Sequence, residues 1–155
     1  MKSADGEDLC HHIYRENNTY ADALANKARQ SGDVLFLSDR FTAGLCNRIY
    51  AQVDGSSSDG TGGADVILFV SSNDHVLTAD DPHAEVVAFA GIQFHASNAM
   101  QTESVAFLLA FFMLAISSID TRRIECIREF LSVRIDNRDY KQLSEGMLDF
   151  LSSVL

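Results

Sequence analysis

Two kinds of apolar pattern alternate along the chain, one with helical spacing and one with the spacing of strands. The first helical pattern is a stripe at i, i+3, i+4 and i+7, formed by Ala21, Leu24, Ala25 and Ala28. It predicts a helix over residues 19–30 that ends at Gly32, because glycine commonly stops a helix. A short run ahead of it, residues 9–14 (LCHHIY), predicts a strand.

Three runs rich in Val, Ile and Phe follow at residues 49–53, 64–71 and 85–94, and they predict three consecutive strands in a meander. The first strand is expected to stop at Asp54, because residues 55–63 (GSSSDGTGG) favour turns and predict a hairpin loop. Residues 34–37 fit either a strand or a packed linker, and the pattern assigns no element to residues 39–47.

The strongest helical signal lies at residues 98–118 and contains a twelve-residue apolar run, 105–116 (VAFLLAFFMLAI). That run is shorter than the roughly 20 residues needed to cross a bilayer, so it predicts a buried helix and no membrane contact. Residues 123–135 predict at least one more strand, and an amphipathic segment follows with Tyr140, Leu143, Met147 and Leu151. This order of strands and helices is typical of an α/β domain.

The composition indicates one globular domain inside the cell. The chain has 155 residues, of which 46% are hydrophobic and 22% charged. Its 12 basic and 22 acidic residues give a net charge of −10, so a nucleic-acid role would have to rest on a local site or on bound cations. Three cysteines without paired spacing, and no signal-peptide pattern at the start, predict an intracellular protein, cytoplasmic or nuclear.

Three acidic residues stand where a purely structural role explains them poorly. Asp54 follows an apolar strand, Glu103 begins the apolar helix on the side that we expect to be buried, and Asp22 borders the apolar stripe of its own helix. Each also has an ordinary explanation, as a turn residue for Asp54 and as a helix-start acid for the other two. If the three carboxylates converged, they would repel one another unless cations neutralised them, and oxygen-only ligands select Mg²⁺ or Mn²⁺.

Three segments resemble signatures of ribonuclease H domains of the retroelement, reverse-transcriptase-associated type. Residues 52–64 (QVDGSSSDGTGGA) are similar to the first strand and Gly-rich turn of that family, and residues 96–109 (ASNAMQTESVAFLL) to the helix whose early Glu is a metal ligand. Residues 12–26 (HIYRENNTYADALAN) resemble the last signature. The resemblance implies that Asp54, Glu103 and Asp22 are the first, second and fourth metal ligands.

A third ligand is implied after the fourth strand. Residues 134–143 (RIDNRDYKQL) fit the family pattern there, which makes Asp136 the third ligand if an insertion is assumed around residues 119–129. Glu129 is the alternative ligand.

The signatures occur in permuted order, because the last family signature precedes the first. The resemblance implies a ribonuclease H-like mixed five-stranded sheet flanked by helices, with a permuted strand order, in a single domain over residues 1–155. Residues 9–30 would be the last strand and helix, residues 31–47 a linker, and residues 48–155 the first strand through the fourth-strand helix. The alternative is a junction between two tandem ribonuclease H units.

The function implied by the resemblance is metal-dependent endonuclease cleavage of the RNA strand of RNA–DNA hybrids. Two Mg²⁺ ions would serve as cofactors, with Mn²⁺ as a substitute, and Gly55, Ser56, Ser57 and Asn18 would contact the substrate. A fused or associated reverse transcriptase would deliver the hybrid, because an acidic domain binds nucleic acid weakly. The alternatives are a degenerate domain that serves as a nucleic-acid or protein interaction module, and a small α/β binding domain whose matches are coincidental.

Overall fold

Helices lie on both faces of a four-stranded antiparallel sheet, which makes the fold α/β. The computed structural model describes residues 18–43, 46, 48–72, 78–117, 141, 144–146 and 148–149, without the side chains of residues 115–117. The strand order is β1-β4-β3-β2. Along the chain the elements are α1 (Thr19–Ser31), β1 (Val34–Leu37), α2 (Asp39–Thr42), β2 (Tyr50–Ser58), β3 (Thr61–Ser71), β4 (Ala84–His95) and α3 (Ala99–Ser117).

A tight hairpin joins β2 to β3 at Asp59 and Gly60. Both residues have positive φ, 53° and 79°, as a two-residue type I′ turn requires, and Asp-Gly is among the pairs that adopt it most readily. The prediction that the strand stops at Asp54 is therefore wrong. Serine and glycine favour turns on average, but pairing continues up to the Asp-Gly corner, and Asp54 lies inside β2 opposite Asp65 of β3.

The alternation of side chains along β3 divides the core into two layers. Val66 and Leu68 belong to the larger cluster, which also contains the buried residues of α3. Ile67 and Phe69 point the other way and share a smaller cluster with Ala21 of α1. Helices α1 and α3 therefore lie on opposite faces of the sheet, and each strand residue can be assigned to one helix or the other.

Helix α1 packs unusually close to the sheet because both surfaces carry small residues. Ala21, Ala25 and Ala28 are fully buried, and they confirm the predicted helix stripe. Below them, a Cβ added to Gly63 would lie 2.2 Å from the backbone oxygen of Ala25 and 2.7 Å from the backbone nitrogen of Arg29. Only glycine fits at this point, so the backbones of α1 and β3 are in contact.

The segment predicted as a linker, residues 31–47, contains regular structure. Residues 34–37 form an edge strand antiparallel to β4, and α2 follows with Ser38 as its N-cap, whose side chain accepts a hydrogen bond from the Phe41 nitrogen at 3.2 Å. The pattern did not show this helix because it is only four residues long.

Helix α3 matches its predicted position but presents a different face to the sheet. Its buried stripe comprises Thr102, Val105, Ala106, Leu109, Ala110, Phe112 and Met113. Glu103 is exposed and Phe107 is 48% exposed, so the prediction that Glu103 faces the buried side is wrong. Residues 105–116 are apolar on every side, and such a pattern cannot indicate which side is buried.

Two predicted strands, at residues 9–14 and within residues 123–135, lie outside the described residues. The sheet that the structure describes has four strands. In the part of the chain that the structure describes, no helix is long and apolar enough to span a membrane.

We expect Gly63→Ala to destabilise the protein by about 2 kcal/mol or more, because the new methyl group must push α1 away from β3. Urea unfolding at neutral pH measures the change. Gly60→Asn is the control, since no atom lies within 4 Å of its added Cβ and asparagine tolerates positive φ. Equal stability of the two variants would contradict the close contact between α1 and β3.

Candidate carboxylate site between helix α1 and the sheet

A row of polar side chains runs along the contact between α1 and β2. Alternation along β2 places three of its side chains on the face that α1 covers: Gln52, Asp54 and Ser56. The residues that meet them come from α1 and its N-cap: Asn18, Asp22, Asn26 and Arg29. We call these seven residues, together with Asp65 of β3, the polar seam.

At one end of the seam, a buried amide network satisfies every polar group involved. Gln52 donates from Nε2 to Oδ1 of Asn18, and its Oε1 accepts from the Ala79 nitrogen at 2.7 Å. Asn18 in turn donates from Nδ2 to the Val53 carbonyl at 3.3 Å. Asn18, which the resemblance implied to be a substrate contact, thus uses both ends of its amide to fix the start of α1 against β2.

At the other end, a serine, an asparagine and an arginine form a second network. Arg29 donates from Nε to Oγ of Ser56 at 2.8 Å, and Ser56 donates to Oδ1 of Asn26 at 2.7 Å. Arg29 also donates from Nη2 to the same Asn26 oxygen at 3.3 Å. The Asn26 amide nitrogen reaches back to Asp22, donating to its backbone oxygen at 3.0 Å and to its Oδ2 at 3.4 Å.

The middle of the seam holds three carboxyl groups. Asp54 and Asp65 are directly opposite each other in the β2–β3 ladder, on the side that faces α1, and Asp22 approaches them from the helix. Asp65 is completely buried. Across the residues that the structure describes, neither of its carboxyl oxygens has a hydrogen-bond partner.

These surroundings raise the pKa of Asp65 to about 9. Burial is the largest cause, because it removes water from the charged form, and the negative charge of Asp54 and then that of Asp22 add to the increase. The backbone N–H of Asp54 lies near the Asp65 carboxyl group and offsets part of this increase in the pKa, although it does not make a hydrogen bond of normal geometry. At neutral pH and without a cation, Asp65 is therefore protonated.

The residue types suit a hard divalent cation, but the carboxylates do not form a finished binding site. Oxygen-only donors are those that Mg²⁺ and Mn²⁺ prefer, and a buried carboxyl group without a partner is the kind of group that a cation would satisfy. Among the described residues, no group of three or more His, Cys, Asp or Glu side chains is arranged to hold a metal ion. Binding would thus require the three carboxylates to turn toward one another.

The remaining predicted site residues lie away from this centre or outside the described residues. Glu103 is exposed on α3, across the sheet from Asp22. Gly55 also faces α3, where a Cβ would lie 2.5 Å from Oγ1 of Thr102, so this glycine is needed for helix packing. Ser57 is exposed. Asp136 and its alternative, Glu129, are not among the described residues.

Sequence reasoning missed Asp65. The sequence contains a signal for this residue, because residues 64–70 (ADVILFV) are apolar except for this one acid. An acidic residue in the middle of a strand that is buried on both faces has no water to solvate it. The strand was predicted, but the face on which α1 would lie was not, so the acid could not be connected with Asp22 and Asp54.

In the presence of a chelator, we expect stability to fall as pH rises from about 4 to about 9. Asp65 holds its proton in the folded chain up to about pH 9, whereas the unfolded chain releases it near the ordinary value of 3.8. Deprotonation therefore favours unfolding throughout this window, with a slope on the order of 1 kcal/mol per pH unit at most.

Asp65→Asn should flatten this profile, because the amide does not ionise, and thermal unfolding between pH 5 and 9 measures the difference. Asp59→Asn, which removes an exposed acid from the hairpin turn, is the matched control and should keep the wild-type slope. Parallel profiles for the wild type and Asp65→Asn would show that Asp65 is not the titrating group.

Comparisons with known proteins give no match. No protein-family model fits the chain, and neither the curated proteins nor the solved structures include one with significant similarity to it. Inferences about function therefore rest on the chain's own residues and on the resemblance of its motifs.

Proposed function

We propose that the chain is a metal-dependent endonuclease that cleaves the RNA strand of RNA–DNA hybrids. The observation that supports this most directly is that Asp54 lies directly opposite the buried Asp65 in the sheet and that the charge of Asp22 also acts on Asp65. Asp22 and Asp54 belong to different motifs, the last and the first of the resembled family, and are 32 residues apart in the sequence. A chance match of motifs gives no reason for them to lie together.

Three of the described strands fit the proposed fold, a ribonuclease H-like mixed sheet of five strands in permuted order, and β1 is an additional strand beside β4. Strands β2, β3 and β4 form an antiparallel meander, α3 follows on one face, and α1 lies on the other. Within the described residues, β2 pairs on one side only, with β3. The predicted strands at residues 9–14 and 123–135 would extend the sheet from the other side of β2.

The chemistry would come from two divalent cations that activate a water molecule and stabilise the leaving 3′ oxygen. Asp22 and Asp54 would hold these cations between α1 and the sheet. Asp136 and Glu103, the latter from the opposite face of the sheet, are the other proposed ligands. Selectivity for a hybrid would rest on contacts to 2′-hydroxyl groups across the shallow minor groove. Gly55 is needed for the packing of α3, whereas Ser57 is exposed near the hairpin turn. Ser57 is therefore the proposed substrate contact.

The net charge of −10 bears on how substrate reaches the site. Tight binding of a nucleic acid depends on lysine and arginine contacts that release counterions from the phosphates. Arg29, the basic residue of the polar seam, is engaged with Ser56 and Asn26. We therefore propose that a fused or associated reverse transcriptase presents the hybrid to this domain.

A second candidate function is a non-catalytic interaction module derived from the same fold. The observation that favours it is the position of Glu103, which is exposed on the opposite face of the sheet from Asp22. A domain whose second ligand cannot reach the first would keep the fold and lose the reaction.

Cleavage of a labelled RNA–DNA hybrid in millimolar Mg²⁺, with a chelator control, distinguishes the two functions. We expect Asp54→Asn and Asp22→Asn to lower the cleavage rate by about 100-fold or more, because each removes a proposed metal ligand. Asp59→Asn, with the same change of charge at an exposed position, should retain full activity. A folded wild-type domain that leaves the hybrid intact would support the interaction module.

The identity of the third ligand is tested in the same assay. We expect Asp136→Asn to abolish Mg²⁺-dependent cleavage and Glu129→Gln to leave most of it, because Asp136 stands at a predicted strand-to-helix junction and Glu129 within a predicted strand. Loss of activity in Glu129→Gln alone would show that the third ligand is Glu129, seven residues before Asp136, and that the family pattern needs no insertion here.

A further inference from the structure

The polar seam is hydrogen-bonded at both ends, and its middle holds a buried carboxyl group, Asp65, whose oxygens have no hydrogen-bond partner among the residues that the structure describes. Gln52 and Asn18 satisfy each other at one end, and Ser56, Asn26 and Arg29 do so at the other. The guanidinium group of Arg29 donates to Ser56 and Asn26. In the middle, three acidic side chains come together, and one of them is completely buried.

Asp65 lies under the turn of α1 that carries Asp22. On the same face of β3, its neighbour Gly63 touches Ala25 and Arg29, and its other neighbour, Ile67, shares a core cluster with Ala21. Asp65 is between them and therefore lies below the turn from Ala21 to Ala25. Its cross-strand partner is Asp54, so acidic residues of a helix and two strands lie on the same face of the sheet around Asp65.

This position makes Asp65 hard to explain by packing alone. The nearest positions on the same strand face, 63, 67 and 69, carry glycine, isoleucine and phenylalanine, and none of these side chains needs a polar partner. Considering only the residues that the structure describes, both Asp65 oxygens lack hydrogen bonds even though the ends of the same seam are fully paired. A ligand that supplies positive charge would satisfy the Asp65 carboxylate, which no described residue does.

We propose that Asp65 is a direct ligand of a divalent cation, Mg²⁺ or Mn²⁺, which it holds together with Asp22 and Asp54 between α1 and the β2–β3 hairpin. The choice of Mg²⁺ or Mn²⁺ rests on the proposed function. The proposal differs from that function in the protein ligands of the cation. The buried carboxylate of β3 provides the third protein ligand, so this cation needs neither Glu103 nor Asp136. The close contact at Gly63 keeps α1, and with it Asp22, within reach of the strands.

Binding of Mn²⁺ alone to the full chain tests the proposal, with electron paramagnetic resonance to count free ions and thermal unfolding to follow stability. We expect the wild type to bind Mn²⁺ and to unfold at a higher temperature when it is added. Asp65→Asn should weaken Mn²⁺ binding by about tenfold or more. In chelator, the same variant should unfold at or above the wild-type temperature, because the amide needs no cation.

Asp59→Asn is the control for loss of one negative charge, and Asp65→Ala is a second variant should the asparagine not fold. Wild-type Mn²⁺ affinity in a folded Asp65 variant would overturn the proposal, as would an absence of Mn²⁺ binding to the wild type at millimolar concentration. Mn²⁺ binding that depends on Asp65, without hybrid cleavage, would support this ligand and refute the nuclease. Cleavage with undiminished Mn²⁺ binding in Asp65→Asn would support the nuclease and refute this ligand.

Discussion

The contact between the backbone of α1 and the beginning of β3 is the constraint on which the rest of the structure depends. It exists because the helix presents Ala21, Ala25 and Ala28 to the sheet, and because Gly63 has no side chain to keep them apart. Small residues let a helix approach a sheet closely. A close approach brings the helix side chains beside the alanine stripe against the adjacent strand. In this chain those side chains are polar, so the packing of α1 creates the seam in which Asp22 and Asp54 both lie near Asp65.

The seam also determines where the fold bears an unfavourable electrostatic interaction. Its two ends contribute hydrogen bonds between buried or partly buried groups, which fix the position of α1 along β2. Its middle has the opposite character, because Asp65 is buried beside two other acids. Proteins retain such unfavourable groups chiefly at functional sites, where a bound ligand supplies the missing interaction. The same three carboxyl groups therefore connect the packing of the helix with the proposed cation chemistry.

The sequence predicted the elements better than it predicted their orientation. The α1 stripe, the three-strand meander and α3 were expected close to their observed positions, because each has a clear periodicity. The end of β2 was misplaced because nine turn-favouring residues were interpreted as a loop, whereas only Asp59 and Gly60 make the turn. The orientation of Glu103 was wrong because α3 is apolar all round. Asp65 was missed because its role depends on a helix that is distant in the sequence, a relation that no local pattern contains.

The central claim is that the carboxyl groups of Asp22, Asp54 and Asp65 share one divalent cation. The most direct test is a crystal structure of the protein soaked in Mn²⁺, with anomalous scattering used to locate the metal. We expect an anomalous peak between α1 and the β2–β3 hairpin, at about 2.0–2.3 Å from an oxygen of Asp65 and from an oxygen of Asp22 or Asp54. A Mn²⁺ ion bound elsewhere, with Asp65 still without a metal neighbour, would contradict the claim.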